Sequence, residues 1–149
     1  MQRNDLDRKQ VIETLNAILE VELAGVVRYT HYSLMIFGHA RIPIVKWMRD
    51  QASEGLKHAA AAGEHITALG GHPSLKIGKL LESEQHDIDH ILREAVDHEE
   101  AGIHLYRALL DQAAGRSVLL EEYARAMTAE EEMHLAEIEK MLRRPGAQA

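Results

Sequence analysis

Two segments of the sequence, 77 residues apart, each place a glutamate where helical periodicity calls for an apolar residue. Residues 22–29 read ELAGVVRY and residues 99–106 read EEAGIHLY, so both contain Glu, Ala, Gly and Tyr at the same offsets. A histidine follows each glutamate at a similar distance: His58 lies 36 residues after Glu22, and His134 lies 35 residues after Glu99. Carboxylates and imidazoles together are typical ligands of iron, manganese and zinc. The repeat therefore predicts two similar helix pairs that bring acids and histidines together around metal.

A third glutamate strengthens this prediction. Glu131 and His134 stand at positions i and i+3, so a single helix face can present both side chains to one cation. An isolated, ionised carboxylate is very costly to bury, and Glu22, Glu99 and Glu131 all fall on predicted core positions that include no lysine or arginine. A pair of divalent cations would offset the repulsion. The alternative interpretation is a set of surface acids beside a hydrogen-bonded core histidine.

Four stretches of helical periodicity position these residues. The predicted helices cover about residues 6–37, 43–70, 83–114 and 117–143, with Pro43 in a first turn and Ser117 as an N-cap. Short loops at 38–42 and 115–116 pair the first helix with the second and the third with the fourth. The longer link at 71–82 can cross the length of the bundle. We therefore predict an all-α, antiparallel four-helix bundle with one long crossover, forming a single domain over residues 1–149.

Composition limits the classes of function. The 149 residues are 46% apolar, which is enough for a sizeable core, and the absence of cysteine excludes disulfides and thiolate metal sites. A net charge of −7 argues against nucleic acid as the main partner. No uncharged apolar run is long enough for a membrane span, and the first residues lack the order of a signal peptide. A cytoplasmic protein that does not enter a membrane is expected.

The second helix departs from the pattern of di-iron bundles, in which two helices each supply a Glu and two each supply Glu-x-x-His. Residues 54–58 read EGLKH, so Gly55 occupies the position of the fourth glutamate. Glu54 lies about 100° around the helix from that position but on the side of His58. The candidate metal ligands are therefore Glu22, Glu54, His58, Glu99, Glu131 and His134.

Two tyrosines and two further histidines are secondary candidates. Tyr29 and Tyr106 lie two helical turns after Glu22 and Glu99, where a tyrosine can hydrogen-bond a metal ligand or supply an electron. We take Tyr29 as the candidate catalytic residue and Tyr106 as a core residue with a hydrogen-bonded hydroxyl. His86 and His90 are i,i+4 neighbours on the predicted third helix, and a solvated face is the favoured interpretation over a surface metal site.

At these residues the chain resembles bacterioferritin and the wider ferritin-like family over nearly its whole length. The segment LNAIL at 15–19 followed by Glu22 resembles the first helix, KHA at 57–59 and LGGHP at 69–73 resemble the second helix and its turn, and EEMH at 131–134 resembles the fourth helix. The resemblance implies a di-iron ferroxidase centre that oxidises Fe(II) with oxygen or peroxide, and a hollow shell assembled from two-fold dimers. By position, the residues that match ligands or the tyrosine near the centre are Glu22, His58, Glu99, Glu131, His134 and Tyr29.

Three differences from bacterioferritin modify these expectations. Gly55 replaces a ligand glutamate that would bridge both irons. Leu56 occupies the position of the haem-ligating methionine, so no haem is expected between subunits. Only 15 residues follow His134, so we expect no fifth helix, and a dimer or a smaller shell in place of a closed cage.

The expected function is iron binding with oxidation of Fe(II) at a carboxylate and histidine di-metal centre, for iron storage or detoxification. Iron is the expected metal, with manganese or zinc as alternatives, and oxygen or peroxide is the expected oxidant. A homo-oligomer is expected. One alternative is a peroxidase or oxygenase on the same bundle, in which Gly55 opens a substrate position. The other is a non-catalytic partner subunit that assembles with a complete paralogue in a ferritin shell.

Overall fold

The computed structural model describes residues 5–80 and 82–148, which form a bundle of four helices. The helices are α1 (Arg8–Met35), α2 (Arg41–Ala68), α3 (Ile88–Ala113) and α4 (Val118–Leu142). Helix α1 packs against α2, α3 packs against α4, and α1 also packs against α3. The predicted all-α bundle of two helix hairpins is confirmed. None of the helices within the described residues combines the length and the apolar character that crossing a membrane requires.

Local sequence signals set the helix ends. Asp7, Asp87 and Ser117 precede α1, α3 and α4, and each side chain accepts a hydrogen bond from the backbone N–H three residues later. At the end of α2, Gly70 has a φ of 81°, which a residue with a Cβ rarely adopts. The N–H groups of Gly70 and Gly71 donate to carbonyls of the last helical turn at 3.0 and 2.9 Å, so this pair of glycines terminates the helix.

The predicted start of α3 at Ser83 is wrong, since the helix begins at Ile88. Glu84 has a φ of 58°, which interrupts a right-handed helix, and Asp87 caps the first turn instead. His86 therefore precedes the helix and is not on a helical face shared with His90. The connection between α2 and α3 is longer than the predicted 71–82, whereas α2 itself begins two residues before the predicted Pro43.

The connection between α2 and α3 lies along α1 from its beginning toward its end. Three hydrogen bonds in chain order fix this path: Ser74 N–H to Asn16 Oδ1 at 2.8 Å, Gly78 N–H to Glu20 O at 2.7 Å, and Arg28 Nη2 to Lys79 O at 3.1 Å. The connection therefore spans the bundle, and α3 starts beside the end of α1. Helices α2 and α3 consequently run in the same direction, as a long crossover requires.

The core consists of two apolar layers with a band of buried polar side chains between them. One layer contains Leu15, Leu19, Ala59, Ala62, Ile66 and Leu109. The other contains Ile36, Met48, Ile91, Leu92 and Ile138. Every helix contributes a polar residue to the band at the point where it passes from one layer to the other. The polar groups are thus enclosed by apolar packing above and below, which strengthens their electrostatic interactions.

Candidate metal centre

The polar band brings together five of the six predicted metal ligands. Glu22 comes from α1, His58 from α2, Glu99 from α3, and Glu131 and His134 from α4. The first four are only 5–8% exposed to solvent. His134 is partly exposed, at the edge of the group. Because four helices converge on these side chains, their relative positions are fixed by the packing of the bundle and not by flexible loops.

The donors form two groups that share one carboxylate. Glu22, His58 and Glu131 offer ligand atoms within 4.8 Å of one another, and so do Glu99, Glu131 and His134. Glu131 Oε1 lies 3.2 Å from His58 Nδ1, while Glu131 Oε2 lies 3.7 Å from His134 Nδ1. The two oxygens of Glu131 thus face two different histidines. This is the arrangement by which one carboxylate can hold two neighbouring cations.

Two tyrosines orient the glutamates of the opposite helix hairpin. Tyr29 on α1 donates its hydroxyl proton to Glu99 Oε1 at 2.5 Å, and Tyr106 on α3 donates to Glu22 Oε1 at 2.9 Å. These reciprocal bonds follow the sequence repeat, in which each tyrosine lies two turns after a glutamate. The hydrogen-bonded hydroxyl of Tyr106 agrees with its interpretation as a core residue. That Glu22 accepts this hydrogen bond was not predicted, although the repeated spacing of Glu and Tyr carried the signal.

Without a bound cation, the pKa values of the buried glutamates and of His58 depart from their ordinary values. Burial raises the pKa of Glu22, and burial together with the neighbouring Glu131 raises the pKa of Glu99 well above its usual value. Burial would raise the pKa of Glu131 too, but the neighbouring imidazoles of His134 and His58 hold it below its usual value. Burial would lower the pKa of His58, yet its bonds to Glu131 and Glu22 raise it to about 11. The charged form of His58 therefore supplies positive charge to the acids that cations would otherwise neutralise.

A small cavity of about 20 Å³ lies among these donors. Its volume suits about one water molecule. No lysine or arginine contributes to its lining in the described part of the chain, so the acids have no permanent positive charge beside them. Three glycines, on α1, α2 and α3, contribute to the lining: Gly25, Gly55 and Gly102.

His98 lines the same cavity and was not predicted. It lies edge-on to the Tyr29 ring, with centroids 6.0 Å apart, and a Cβ on Gly25 would lie 2.7 Å from its Nε2. Gly25 is therefore needed to accommodate this imidazole. Burial and the positive charge of Arg28 lower the pKa of His98 to about 4, so the ring is neutral near pH 7. Its position directly before Glu99, off the predicted core face, gave no periodic signal.

Glu54 lies on the Nε2 side of His58, opposite the Nδ1 that faces Glu22 and Glu131, and it lines the same cavity as the buried donors. Its Oε2 is 3.6 Å from His58 Nε2, and Glu130 Oε1 is 3.2 Å from the same atom. Glu54 and Glu130 are about 40% exposed, and with His58 they form a third group of potential ligands. The structure thus places Glu54 at the mouth of the centre and not at the position left by Gly55. Glu130 was not predicted as a metal ligand, because Glu131 was the strongest candidate among the three glutamates at 130–132.

Gly55 allows a close approach between α1 and α2. A Cβ at this position would lie 3.2 Å from Val26 Cγ2 and 3.3 Å from the backbone oxygen of Glu22. The space beside Gly55 is therefore taken up largely by α1, and the adjoining cavity has the size of a water molecule and not of an organic substrate.

Two substitutions at Gly55 should distinguish the effect of helix packing from the effect of the missing metal ligand. We expect Gly55→Ala to lower the free energy of unfolding by about 1 kcal/mol, because overpacking against α1 outweighs the gain in helix propensity. Gly55→Glu adds the same Cβ together with a carboxylate, so any increase in metal retained after dialysis relative to Gly55→Ala reports the missing ligand. Equal retention by the two variants would show that other groups already complete the centre. Chemical denaturation and metal analysis provide the two measurements.

Comparison with known proteins agrees with this architecture. Residues 12–145 match the sequence model of the ferritin-like domain. A ferritin-like, di-iron-carboxylate protein from Bacillus anthracis str. Ames is 28% identical, with a TM-score of 0.87 over 92% of this chain and 98% of that chain. A dodecameric thioferritin from Bacteroides fragilis, a bacterioferritin-related protein, is 25% identical, with a TM-score of 0.86 over 93% of this chain and 87% of that chain.

A bacterioferritin is also similar. The Rhodobacter capsulatus protein, whose structure has a metal-free dinuclear site and a haem iron, is 27% identical, with a TM-score of 0.80 over 90% of this chain and 84% of that chain. No curated protein sequence matches the chain. The match over residues 12–145 and the four-helix architecture confirm the resemblance noted from the sequence. The chain belongs to the ferritin-like family.

Proposed function

We propose that the protein binds two Fe(II) ions in the buried centre and oxidises them, as part of iron storage or detoxification. The observation that carries this proposal is the shared carboxylate of Glu131, whose two oxygens face His58 on one side and His134 on the other. Iron is the substrate in this scheme, with oxygen or peroxide as the oxidant. The di-iron-carboxylate relative from Bacillus anthracis supports the assignment.

The chemistry of the donors fits iron. Carboxylate and imidazole ligands suit Fe(II), and the same donors also accept manganese and zinc. The raised pKa of His58, about 11, gives this imidazole a proton near pH 7 that an arriving cation would displace, and the raised pKa of Glu99 favours its protonated form in the same way. Cation binding therefore relieves the cost of burying three acids close together. Electrons leave Fe(II) for the oxidant, and the anionic carboxylates favour the more highly charged Fe(III) product.

The residues of the chain have separate tasks in this scheme. Glu131 holds both cations, while Glu22 and Glu99 each serve one position and are kept in orientation by a tyrosine from the opposite hairpin. Supporting hydrogen bonds of this kind typically change metal affinity or activity by about 10- to 100-fold. The apolar layers on both sides of the polar band restrict the access of bulk water.

An anaerobic titration of metal-free protein with Fe(II) tests the proposal. We expect two tightly bound ions per chain, followed by oxidation and mineral formation when oxygen is added. Binding of one ion or none would contradict the ferroxidase assignment and favour a partner subunit that assembles with a complete paralogue. Turnover of peroxide without mineral would favour a peroxidase or oxygenase on the same bundle.

The two tyrosines provide a matched pair for testing their roles. We expect Tyr29→Phe to slow Fe(II) oxidation by about 10-fold or more while two ions still bind. The reason is that Tyr29 makes the shorter hydrogen bond to a ligand, and we propose that it adjusts the rate of electron transfer from the iron. Tyr106→Phe removes the equivalent bond to Glu22 and serves as the control. Stopped-flow absorbance of Fe(III) formation gives the rates. Equal rates for the two variants would rule out a special role for Tyr29.

We further propose that the protein works as a cytoplasmic homo-oligomer without haem. Several large apolar side chains are exposed in the isolated chain, including Leu34, Phe37, Ile42, Leu56 and Leu75, at 58–96%. Exposed apolar side chains of this kind can be covered when chains associate. The thioferritin relative from Bacteroides fragilis is a dodecamer, which supports a shell. Leu56 offers no donor atom for a haem iron.

A further inference from the structure

A second group of potential ligands lies outside the buried centre, where the connection between α2 and α3 meets the end of α1. His31 on α1 and His86 on the connection both direct Nε2 at the carboxylate of Glu82. His31 Nε2 lies 3.0 Å from Glu82 Oε2, and His86 Nε2 lies 3.2 Å from Glu82 Oε1. The two imidazole rings are 5.7 Å apart, and the three donors lie within 4.8 Å of one another.

The hydrogen bonding of these histidines is incomplete. Both Nε2 atoms are shielded from solvent, and neither has a hydrogen-bond partner with acceptable angles within the part of the chain that the structure describes. The distances to Glu82 are short, yet the angles do not suit direct hydrogen bonds. Shielded nitrogen atoms without such partners are uncommon in folded proteins. The three groups thus lie close together without direct hydrogen bonds that would satisfy the two imidazoles.

We propose that His31, Glu82 and His86 bind one divalent transition-metal cation, with zinc as the best-fitting probe. Two ligand atoms about 2.1 Å from a tetrahedral zinc ion lie about 3.4 Å apart. The separations of Glu82 from His31 and from His86, 3.0 and 3.2 Å, are close to this value. Two imidazoles and a carboxylate are a common ligand set for zinc, and a water molecule fills the fourth position. The side chains are partly exposed, 42% for His31 and 28% for His86, so the site lies close to the protein surface.

A cation at this site would join two parts of the chain that are far apart in sequence. His31 belongs to α1, whereas Glu82 and His86 belong to the connection. Arg28 already binds the carbonyl of Lys79 a few residues earlier, so the metal would fix the last section of the crossover to the same helix. This site does not depend on the buried centre, because it shares no residue with either buried group.

Zinc titration of the metal-free full-length protein tests this site. We compare the unmodified chain with His31→Gln, His86→Gln and the control His90→Gln, whose imidazole is bonded to Asp87 and lies outside the group. Zinc per chain is measured after equilibrium dialysis. We expect His31→Gln and His86→Gln each to bind one zinc ion fewer than the unmodified chain, and His90→Gln to bind the same number. Zinc should also slow amide hydrogen exchange in residues 79–87 of the unmodified chain but not of His31→Gln.

Three outcomes would overturn the proposal. One is an unchanged zinc stoichiometry in both His31→Gln and His86→Gln; another is an equal loss in His90→Gln. The third is zinc binding that leaves exchange in residues 79–87 unaltered. Circular dichroism checks that the helices are intact. If His31→Gln fails to fold, His86→Gln decides the question, because its side chain lies on the connection and outside the helices.

Discussion

Replacing Glu131 with glutamine should abolish iron binding at both positions of the centre. Glutamine keeps the shape of the side chain but removes its charge, and Glu131 belongs to both buried groups of donors. Loss of an outer, supporting group typically costs about 10- to 100-fold in metal affinity, so loss of a ligand shared by two cations should exceed 100-fold. Anaerobic titration of Glu131→Gln should find almost no bound Fe(II) at concentrations that saturate the unmodified protein.

Neighbouring substitutions provide the controls for this result. Glu132 is adjacent in sequence, but its side chain pairs with Arg107 at the surface, so Glu132→Gln should still bind two ions. Glu22→Gln and Glu99→Gln each remove a donor from one group only, and each should weaken binding of one ion more than that of the other. Retention of two ions by Glu131→Gln would show that its carboxylate is not shared between cations.

The stability of the metal-free protein should fall as pH rises from about 6.5 to about 9. In the folded chain the pKa of Glu99 is raised well above 4.5, and the pKa of His58 is raised from 6.5 to about 11. Above pH 6.5 the unfolded chain has lost the His58 proton, while the folded chain still holds it, and the raised pKa of Glu99 acts in the same direction. Because the folded state then binds more protons, each further unit of pH costs up to about 1.4 kcal/mol per retained proton.

Other groups do not reverse this trend. The depressed pKa of His98, about 4, lowers stability only below the unfolded pKa of 6.5, where the unfolded chain takes up a proton that the folded chain does not. Thermal unfolding of metal-free protein at a series of pH values measures the slope. His58→Gln should show a smaller slope, since it has no imidazole to retain a proton. A midpoint that rises between about pH 6.5 and pH 9 would contradict the assigned protonation.

Metal should remove this pH dependence. Cations displace the retained protons, so binding becomes more favourable as pH rises. The difference in thermal midpoint between the loaded and the metal-free protein should therefore widen over the same range of pH.

The fold was predictable because its signals are local and periodic. Apolar positions at steps of three and four identified all four helices, and short loops at 38–42 and 115–116 identified the two hairpins. The beginning of α3 was harder, because Ser83 and Asp87 are both N-cap residues by type. The choice between them depends on contacts of the connection, such as the hydrogen bond from Ser83 N–H to Glu94 at 3.0 Å.

The donors of the buried centre were predictable for a similar reason. An acid on an apolar helix face violates the periodic pattern, and this violation marked Glu22, Glu99 and Glu131. His98 and Glu130 directly precede Glu99 and Glu131 in the sequence. They lie off the predicted core face, where a polar residue does not violate the helical periodicity. The group of His31, Glu82 and His86 depends on where an irregular connection lies on α1, and helical periodicity carries no information about that path.

The glycine at position 55 also changes the total charge of a filled centre. In the symmetric pattern of di-iron bundles, four carboxylates neutralise two divalent cations. Here the two buried groups contain three carboxylates, from Glu22, Glu99 and Glu131. A centre filled with two Fe(II) ions thus keeps one uncompensated positive charge, and oxidation to Fe(III) adds two more. We expect such a centre to take its remaining negative charge either from a small anion, such as hydroxide, or from Glu54, whose carboxylate lines the same cavity.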